Sequence, residues 1–389
     1  MLDRAPGRRR LAVIVATGVL AIGSCARGAD APSPAWQGVW RGTIGALPVQ
    51  ACLDHRDYAD RGAYYYMSHL SIIALGRIDK GGAGVTFSEA ADSDTKDQGP
   101  LWVLSPARGG DLAGEWRFKT RTLPIRLTRL AAADGDDGPC SSLAFSGPRV
   151  TPITITSKPA IKDGVAYTRL IASVGRQFDV TLESFEMSGA TSAATAADRR
   201  IDAILRKRLP ERGQGSDYLD CTMGALGANG HDGAYSDVST PTFITRRWLV
   251  SAETSATDCG GAHPSEALTS TVFDRATGDV VDLWTWFTPG AVTRHAPEGG
   301  APAAYEVAPP LLKAIVARWH GEDSDCRQAF EDQTFWDVAL TRQGFGFTPM
   351  LAHVAQACAE QVVLPYGVAA PFLNGAGRAG VASVMADRM

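Results

Sequence analysis

Several short stretches bring chemically capable side chains together. Ser93-Asp94-Thr95-Lys96 has the Ser-x-x-Lys spacing of acyl-transferring enzymes. That motif works at the start of a helix, whereas this one lies in an Asp-rich loop between strands, so it is set aside. His263-Pro264-Ser265-Glu266 and His320-Gly321-Glu322 each place a histidine near a carboxylate. Neither has the two histidines, one helical turn apart, of a zinc protease. Asp134, Asp136 and Asp137 crowd together without the rest of a calcium loop. Glu89 and Glu115 are carboxylates of the kind acid–base catalysis pairs, though each reads first as an exposed strand residue. There is no Gly-x-Ser-x-Gly elbow and no phosphate loop. With no complete catalytic set, and neither metal nor cofactor implied, the chain reads as a binding protein rather than an enzyme.

The cysteines and the first residues describe a compartment. Arg8, Arg9 and Arg10 precede an apolar run over residues 11–22, followed by Gly23, Ser24 and Cys25. A basic start, a short apolar stretch and small residues at a cut site make a secretory signal. The run is shorter than the ~20 residues of a membrane span. Ile22-Gly23-Ser24-Cys25 resembles a bacterial lipoprotein box, in which the cysteine becomes the lipidated first residue. Cleavage after Ala31, at Ala29-Asp30-Ala31, is the alternative. The next residue, Ala26, suits sorting to an outer membrane, and residues 26–35, with Pro32 and Pro34, read as an extended tether. The expectation is a signal over residues 1–24, a lipid anchor at Cys25, and a periplasmic, outer-membrane lipoprotein with no transmembrane span in its mature chain.

Six cysteines then remain: Cys52, Cys140, Cys221, Cys259, Cys326 and Cys358. An even count in an oxidising compartment predicts disulfides, and sequence does not choose among the possible pairings. Pairing within modules favours Cys52–Cys140, Cys221–Cys259 and Cys326–Cys358. No two cysteines are close enough in sequence for a zinc knuckle. The 389 residues suit two domains, and 45% hydrophobic content supplies a sizeable core. A formal charge of −4, with no basic patch, excludes the nucleic-acid footprint.

Stepping along the chain, residues 36–148 are all strand and turn. Strands are predicted over residues 36–45, 47–53, 63–70, 71–78, 85–89, 101–104, 112–118 and 123–130, with breaks at Gly81-Gly82, Asp97-Gln98-Gly99-Pro100 and Gly109-Gly110. The series predicts an all-β domain: an up-and-down barrel, lipocalin-like, or a sandwich. Within it, Tyr64-Tyr65-Tyr66 alternates faces, either lining a barrel mouth or, the favoured reading, with two rings in the core and one on the surface.

Residues 149–162, with Pro152 and Pro159, read as a domain boundary. An α+β domain with an antiparallel sheet is predicted to follow, over residues 149–373. Strands are expected over residues 164–173, 177–185 and 243–252, and helices over residues 196–209 and 309–320, the second stopped by Gly321. A hairpin joins residues 335–340 to 345–348. Residues 374–389, rich in Gly and Ala, read as a flexible tail.

The most specific text is Cys259-Gly260-Gly261-Ala262-His263-Pro264, then Phe273-Asp274-Arg275-Ala276-Thr277-Gly278, then Leu283-Trp284-Thr285-Trp286-Phe287. Gly344-Phe345, Phe347 and Leu364-Pro365-Tyr366 follow in order. These pieces, across residues 196–373, resemble the C-terminal domain of RsiV-type lysozyme-sensing anti-sigma factors, which also accompanies some peptidoglycan deacetylases. The chain lacks the cytosolic segment and span of the former and the catalytic domain of the latter. The resemblance therefore implies recognition in the cell envelope, of a lysozyme-like protein or a cell-wall glycan, rather than signalling or deacetylation. The hydrolase and lipocalin-like carrier readings stand as alternatives. Candidate binding residues are His263, Trp284 and Trp286. His263 has a structural alternative in a turn, and the two tryptophans, on one side of an extended segment, have one in the core.

Overall fold

The computed structural model describes residues 33–56, 60–79, 84–89, 99–130, 138–175, 178–188, 194–210, 217–296 and 303–387. The leader, Cys25, Ser93-Asp94-Thr95-Lys96 and the Asp134 to Asp137 cluster lie outside the described residues. No helix among the described residues is long and apolar enough to cross a membrane.

Eight antiparallel strands close into a barrel: β1 (Gly38–Ile44), β2 (Leu47–Asp54), β3 (Arg61–Tyr66), β4 (Ile73–Arg77), β5 (Val85–Ser88), β6 (Leu101–Leu104), β7 (Asp111–Phe118) and β8 (Arg121–Arg129). Pairing of Trp40 with Arg129 through Ile44 with Ile125 closes the ring. Closure leaves no free sheet edge. Alternate residues point inward, so Trp40, Val49, Tyr64, Phe87, Trp102 and Leu112 meet in one buried cluster. Side chains occupy the interior, as the size of an eight-stranded barrel allows.

A segment containing α1 (Leu143–Ser146) covers part of the barrel's outer wall. The Cys52–Cys140 disulfide holds it there, and Val39, Ala63, Tyr65, Phe145 and Leu226 form the buried layer beneath. The tyrosine alternation is as expected, with Tyr64 and Tyr66 inward. Tyr65, expected on the surface, is instead fully buried under this cover, its hydroxyl donating to the Phe145 carbonyl at 2.5 Å.

The α+β part is built on a seven-stranded sheet. Its strands are β9 (Thr154–Lys162), β10 (Val165–Ser173), β11 (Asp179–Glu186), β12 (Ala234–Ile244), β13 (Trp248–Asp258), β14 (Ser265–Asp274) and β15 (Asp279–Val280), in spatial order β15-β14-β13-β12-β11-β10-β9. The residues read as a domain boundary, 149–162, thus include an edge strand. Pro159 is tolerated there because the edge leaves its missing N–H without consequence. The sheet is also not wholly antiparallel. β11 and β12 run parallel, since α2 (Ala196–Arg206) and α3 (Asp217–Asn229) cross between them. The strand expected over residues 243–252 is the end of one strand and the start of the next, with a turn at Thr245-Arg246-Arg247.

The rest of the chain packs on the sheet's other face. It comprises the hairpin β16 (Val292–His295) and β17 (Ala304–Val307), α4 (Pro309–Val316), α5 (Ser324–Asp332), and a three-stranded sheet of β18 (Trp336–Leu340), β19 (Gly344–Pro349) and β20 (Val362–Pro365). Next come α6 (Tyr366–Ala369) and α7 (Gly375–Ala386). The second predicted helix ends at Val316, five residues before Gly321. The flexible tail is in fact α7. Asn374 caps it, accepting from the Gly377 N–H at 2.9 Å, and Val384 is fully buried. The small residues allow close approach: a Cβ at Gly377 would lie 2.3 Å from the Trp286 carbonyl oxygen.

From Ala35 onward the protein is one compact unit. Arg149, with no exposed side-chain surface, joins its two parts. It donates to both oxygens of Asp232 at 2.7 and 2.6 Å and to the Leu70 carbonyl at 2.9 Å, and its guanidinium lies over the Phe178 ring. Arg56 and Arg61 donate to the Gly227 and Ala228 carbonyls in the last turn of α3, where the helix dipole favours cations.

Candidate functional site

The structure disperses the residues singled out in the sequence. His263 is exposed in the loop between β13 and β14. That loop is pinned at Cys259 by its disulfide to Cys221, and Gly260 takes a φ of +86° against α3, where a Cβ would meet Ala225 Cα at 2.6 Å. Gly260 therefore serves close packing, whereas a Cβ at Gly261 would meet only the His263 carbonyl oxygen, at 3.9 Å. Asp274 behaves as its turn predicts, accepting from the Ala276 N–H at 2.9 Å, while Gly278 supplies a φ of +81°.

Trp284 and Trp286 lie in a 3-10 turn over Leu283–Trp286 rather than an extended segment. Asp282 caps this turn by accepting from the Trp284 N–H at 3.0 Å. Trp286 is buried edge-on against Trp248, with ring centroids 5.6 Å apart. Trp284 is half-buried, stacked on Tyr305 and beside Phe287 and Phe347. Trp286 belongs to the largest apolar cluster among the described residues, and Trp284 packs against it.

Glu89 and Glu115 do not share a site. Glu115 faces outward beside Arg117. Glu89 faces the barrel interior, where Tyr64 Oη and Trp116 Nε1 both donate to Oε1 at 2.8 Å. Burial raises the Glu89 pKa against the pull of these bonds, and burial together with that carboxylate raises Tyr64. Paired to aromatic donors of its own barrel, Glu89 is a structural closure rather than half of an acid–base pair.

The arrangement best suited to hold a ligand is a groove between the two sheets of the α+β part. β18 lies against β14, and the groove opens as two hollows that share Leu268. The first, about 480 Å³, is lined by Thr242, Phe243, Ala252, Ser270, Thr341 and Gln361, among others. Asp163 and Arg342, paired at 2.6 Å, stand on its rim. The second, about 510 Å³, is lined by Thr254, Ser265, Glu266, Thr348 and Gln356, among others. Most of the wall surface is apolar, and hydroxyl and carboxamide groups set into it, beside Lys162 in the first hollow and Glu266 in the second, can exchange hydrogen bonds with a ligand.

Asp337, on β18, lines neither hollow. It is cross-strand partner to Thr348 on β19, and Ser270 of β14 faces its carboxyl. Burial pushes Asp337 up to about 6, against the opposing pull of the Ser270 hydroxyl and backbone N–H, and Glu253 adds to the rise. Glu253 is itself held by Arg208 at 2.7 Å and Thr271 at 2.8 Å. Two buried oxygens here have no hydrogen-bond partner, Asp337 Oδ2 and Thr348 Oγ1.

Solved structures of the DUF3298 family resemble this chain. One, from Pseudomonas aeruginosa PAO1, is 12% identical with a TM-score of 0.33, covering 58% of this chain and 94% of its own. Another, from Bacteroides fragilis, is 11% identical with a TM-score of 0.37, covering 59% of this chain and 96% of its own. No protein-family model matches the chain, and no curated protein matches it.

Sequence reasoning passed over Asp337. Its signal was a lone carboxylate between Trp336 and Val338, which strand alternation reads as solvent-facing. A second sheet covers that face, and this long-range fact is invisible to a local pattern.

Proposed function

We propose that this is an exported, lipid-anchored cell-envelope protein that recognises a lysozyme-like protein or a cell-wall glycan without transforming it. The observation that carries the reading is the set of three disulfides, Cys52–Cys140, Cys221–Cys259 and Cys326–Cys358. Disulfides form and persist in oxidising compartments and are rare in the cytosol. Using all six cysteines after Cys25 leaves Cys25 for the anchor, in keeping with the leader pattern of residues 1–24. The groove, apolar walls with hydrogen-bonding groups set into them, supports recognition, and the RsiV-type pattern supports an envelope partner. The filled barrel argues against the carrier alternative.

The test is retention and calorimetric titration of the mature, oxidised protein with lysozyme and with peptidoglycan fragments. The expected result is saturable heat with at least one of them. Neither heat nor retention with either removes both partner classes.

A further inference from the structure

The first hollow of the groove is lined by polar groups that the fold itself leaves unused. One wall is the tip of the β9–β10 hairpin, where Asp163 and Gly164 take φ of +53° and +79°, the paired left-handed geometry of a two-residue turn. Asp163 is engaged at both oxygens. Oδ1 accepts from Arg342 at 2.6 Å and Oδ2 from the Ile244 N–H at 3.0 Å, which fastens the hairpin tip to the β18–β19 turn and to the end of β12. Lys162, half-buried beside it on the same wall, forms no hydrogen bond or ion pair among the described residues. Two cations thus share one carboxylate, and that carboxylate is held by Arg342. Asp337 faces Ser270 and lines neither hollow, so it does not supply the missing partner. Gln361, just before β20, lies over Gly346, where a Cβ would come within 2.4 Å of its Cδ, and its carboxamide also makes no hydrogen bond among the described residues.

We infer that this hollow binds a small monocarboxylate with an apolar body, its carboxylate on Lys162 and its body against Phe243, Leu268 and Ala339. The site is additional to the partner proposed above and does not depend on it. Three features select the ligand class. Lys162, Arg342 and Asp163 leave one positive charge unmatched in the lining, which calls for one negative charge. A cation set in low-dielectric walls is poorly screened by water and concentrates anions in its cleft. The hollow, about 480 Å³, has the size of a small-molecule site, and its mostly apolar walls with a few polar groups match the usual composition of one. Gln361 offers both a donor and an acceptor to a polar group of the ligand next to its acid. An ammonium–carboxylate contact is a charge-assisted hydrogen bond, stronger than any the hydroxyls of the wall could make.

The test is calorimetric titration of the mature, oxidised protein with two carboxylates, octanoate and N-acetyl-alanyl-leucine, each beside its own uncharged primary amide. The expected result is saturable binding of at least one acid, roughly tenfold or more tighter than its amide, the worth of one hydrogen bond to a charged group. Which acid binds distinguishes a fatty acid from a peptide end as the source of the carboxylate. Lys162→Met keeps the length of the stem and removes the charge, and it should bring the acid down to the affinity of its amide. The comparison of acid with amide on the wild type needs no variant, so it decides the matter if Lys162→Met fails to fold. Binding of neither acid, equal affinity for acid and amide, or an acid affinity unchanged in Lys162→Met overturns the inference. Retention of lysozyme or peptidoglycan fragments is a separate measurement, and its failure alone removes the partner proposed above.

Discussion

At the scale of single residues, two buried charges have opposite consequences. Asp337 takes up a proton more readily in the folded protein than in the unfolded chain, because its pKa rises from 3.8 to about 6. Its contribution to stability is therefore fully present below pH 4 and lost as pH rises through 6. A shift of that size corresponds to about 3 kcal/mol at most. Asp337→Asn should therefore unfold at a higher temperature than wild type at pH 7.5, with the gap closing by pH 4.5. Thermal melts across that range check it, and an equal or lower midpoint at pH 7.5 contradicts it. Arg149 is the reverse case, a guanidinium with no exposed surface whose Asp232 partner is 21% exposed. Asp232→Ala strands that charge and should cost about 3 kcal/mol, read as a lower denaturant midpoint with unchanged slope. Neither role was legible in the sequence. Arg149 reads as a boundary residue and Asp337 as a surface one, because their partners lie 83 residues away in Asp232 and on a different sheet, respectively. The roles that were legible are local: Asp274 and Gly278 in their turn, and the alternation of Tyr64 and Tyr65.

At the scale of elements, the strands of the barrel were readable because each is a short run between turn residues and pairs mainly with its sequence neighbours. The second half departs from its pattern where packing overrides propensity. α7 is the clearest case. Gly and Ala suggested a loose end, yet a glycine-lined face lets the helix backbone touch Trp286, and the Asn374 side chain donates to the Thr285 and Phe287 carbonyls at 2.8 and 3.1 Å. Gly377→Ala separates the two pictures by sign. In a loose or exposed helix it would stabilise by up to about 1 kcal/mol. Against the Trp286 backbone it should destabilise by about 1–3 kcal/mol, measured by chemical unfolding, because neither backbone can yield without repacking. The edge strand β9 and the parallel pairing of β11 with β12 escaped the reading for a related reason. Both depend on what lies alongside them, not on their own residues.

At the scale of the whole molecule, barrel and α+β part are fastened together by side chains rather than merely linked in sequence. Arg149 and Asp232 tie the barrel's cover to the loop after α3, while Arg56 and Arg61 grip the end of α3. The Cys221–Cys259 disulfide then ties α3 to the end of β13. The protein therefore presents the groove on a body braced on several sides, which suits a site that must keep its shape. The strand-and-turn pattern captured the architecture, a barrel followed by an α+β part, but not this fastening, which is built by residues far apart in the chain.

The central claim is an exported, oxidised, anchored binding protein, and intact-mass and peptide analysis of the protein from fractionated producing cells tests it most directly. The account predicts a membrane-fraction species that begins at a lipidated Cys25 and has three disulfides in the pairing described. A soluble cytoplasmic species that retains residues 1–24 and six free thiols after Cys25 would contradict it.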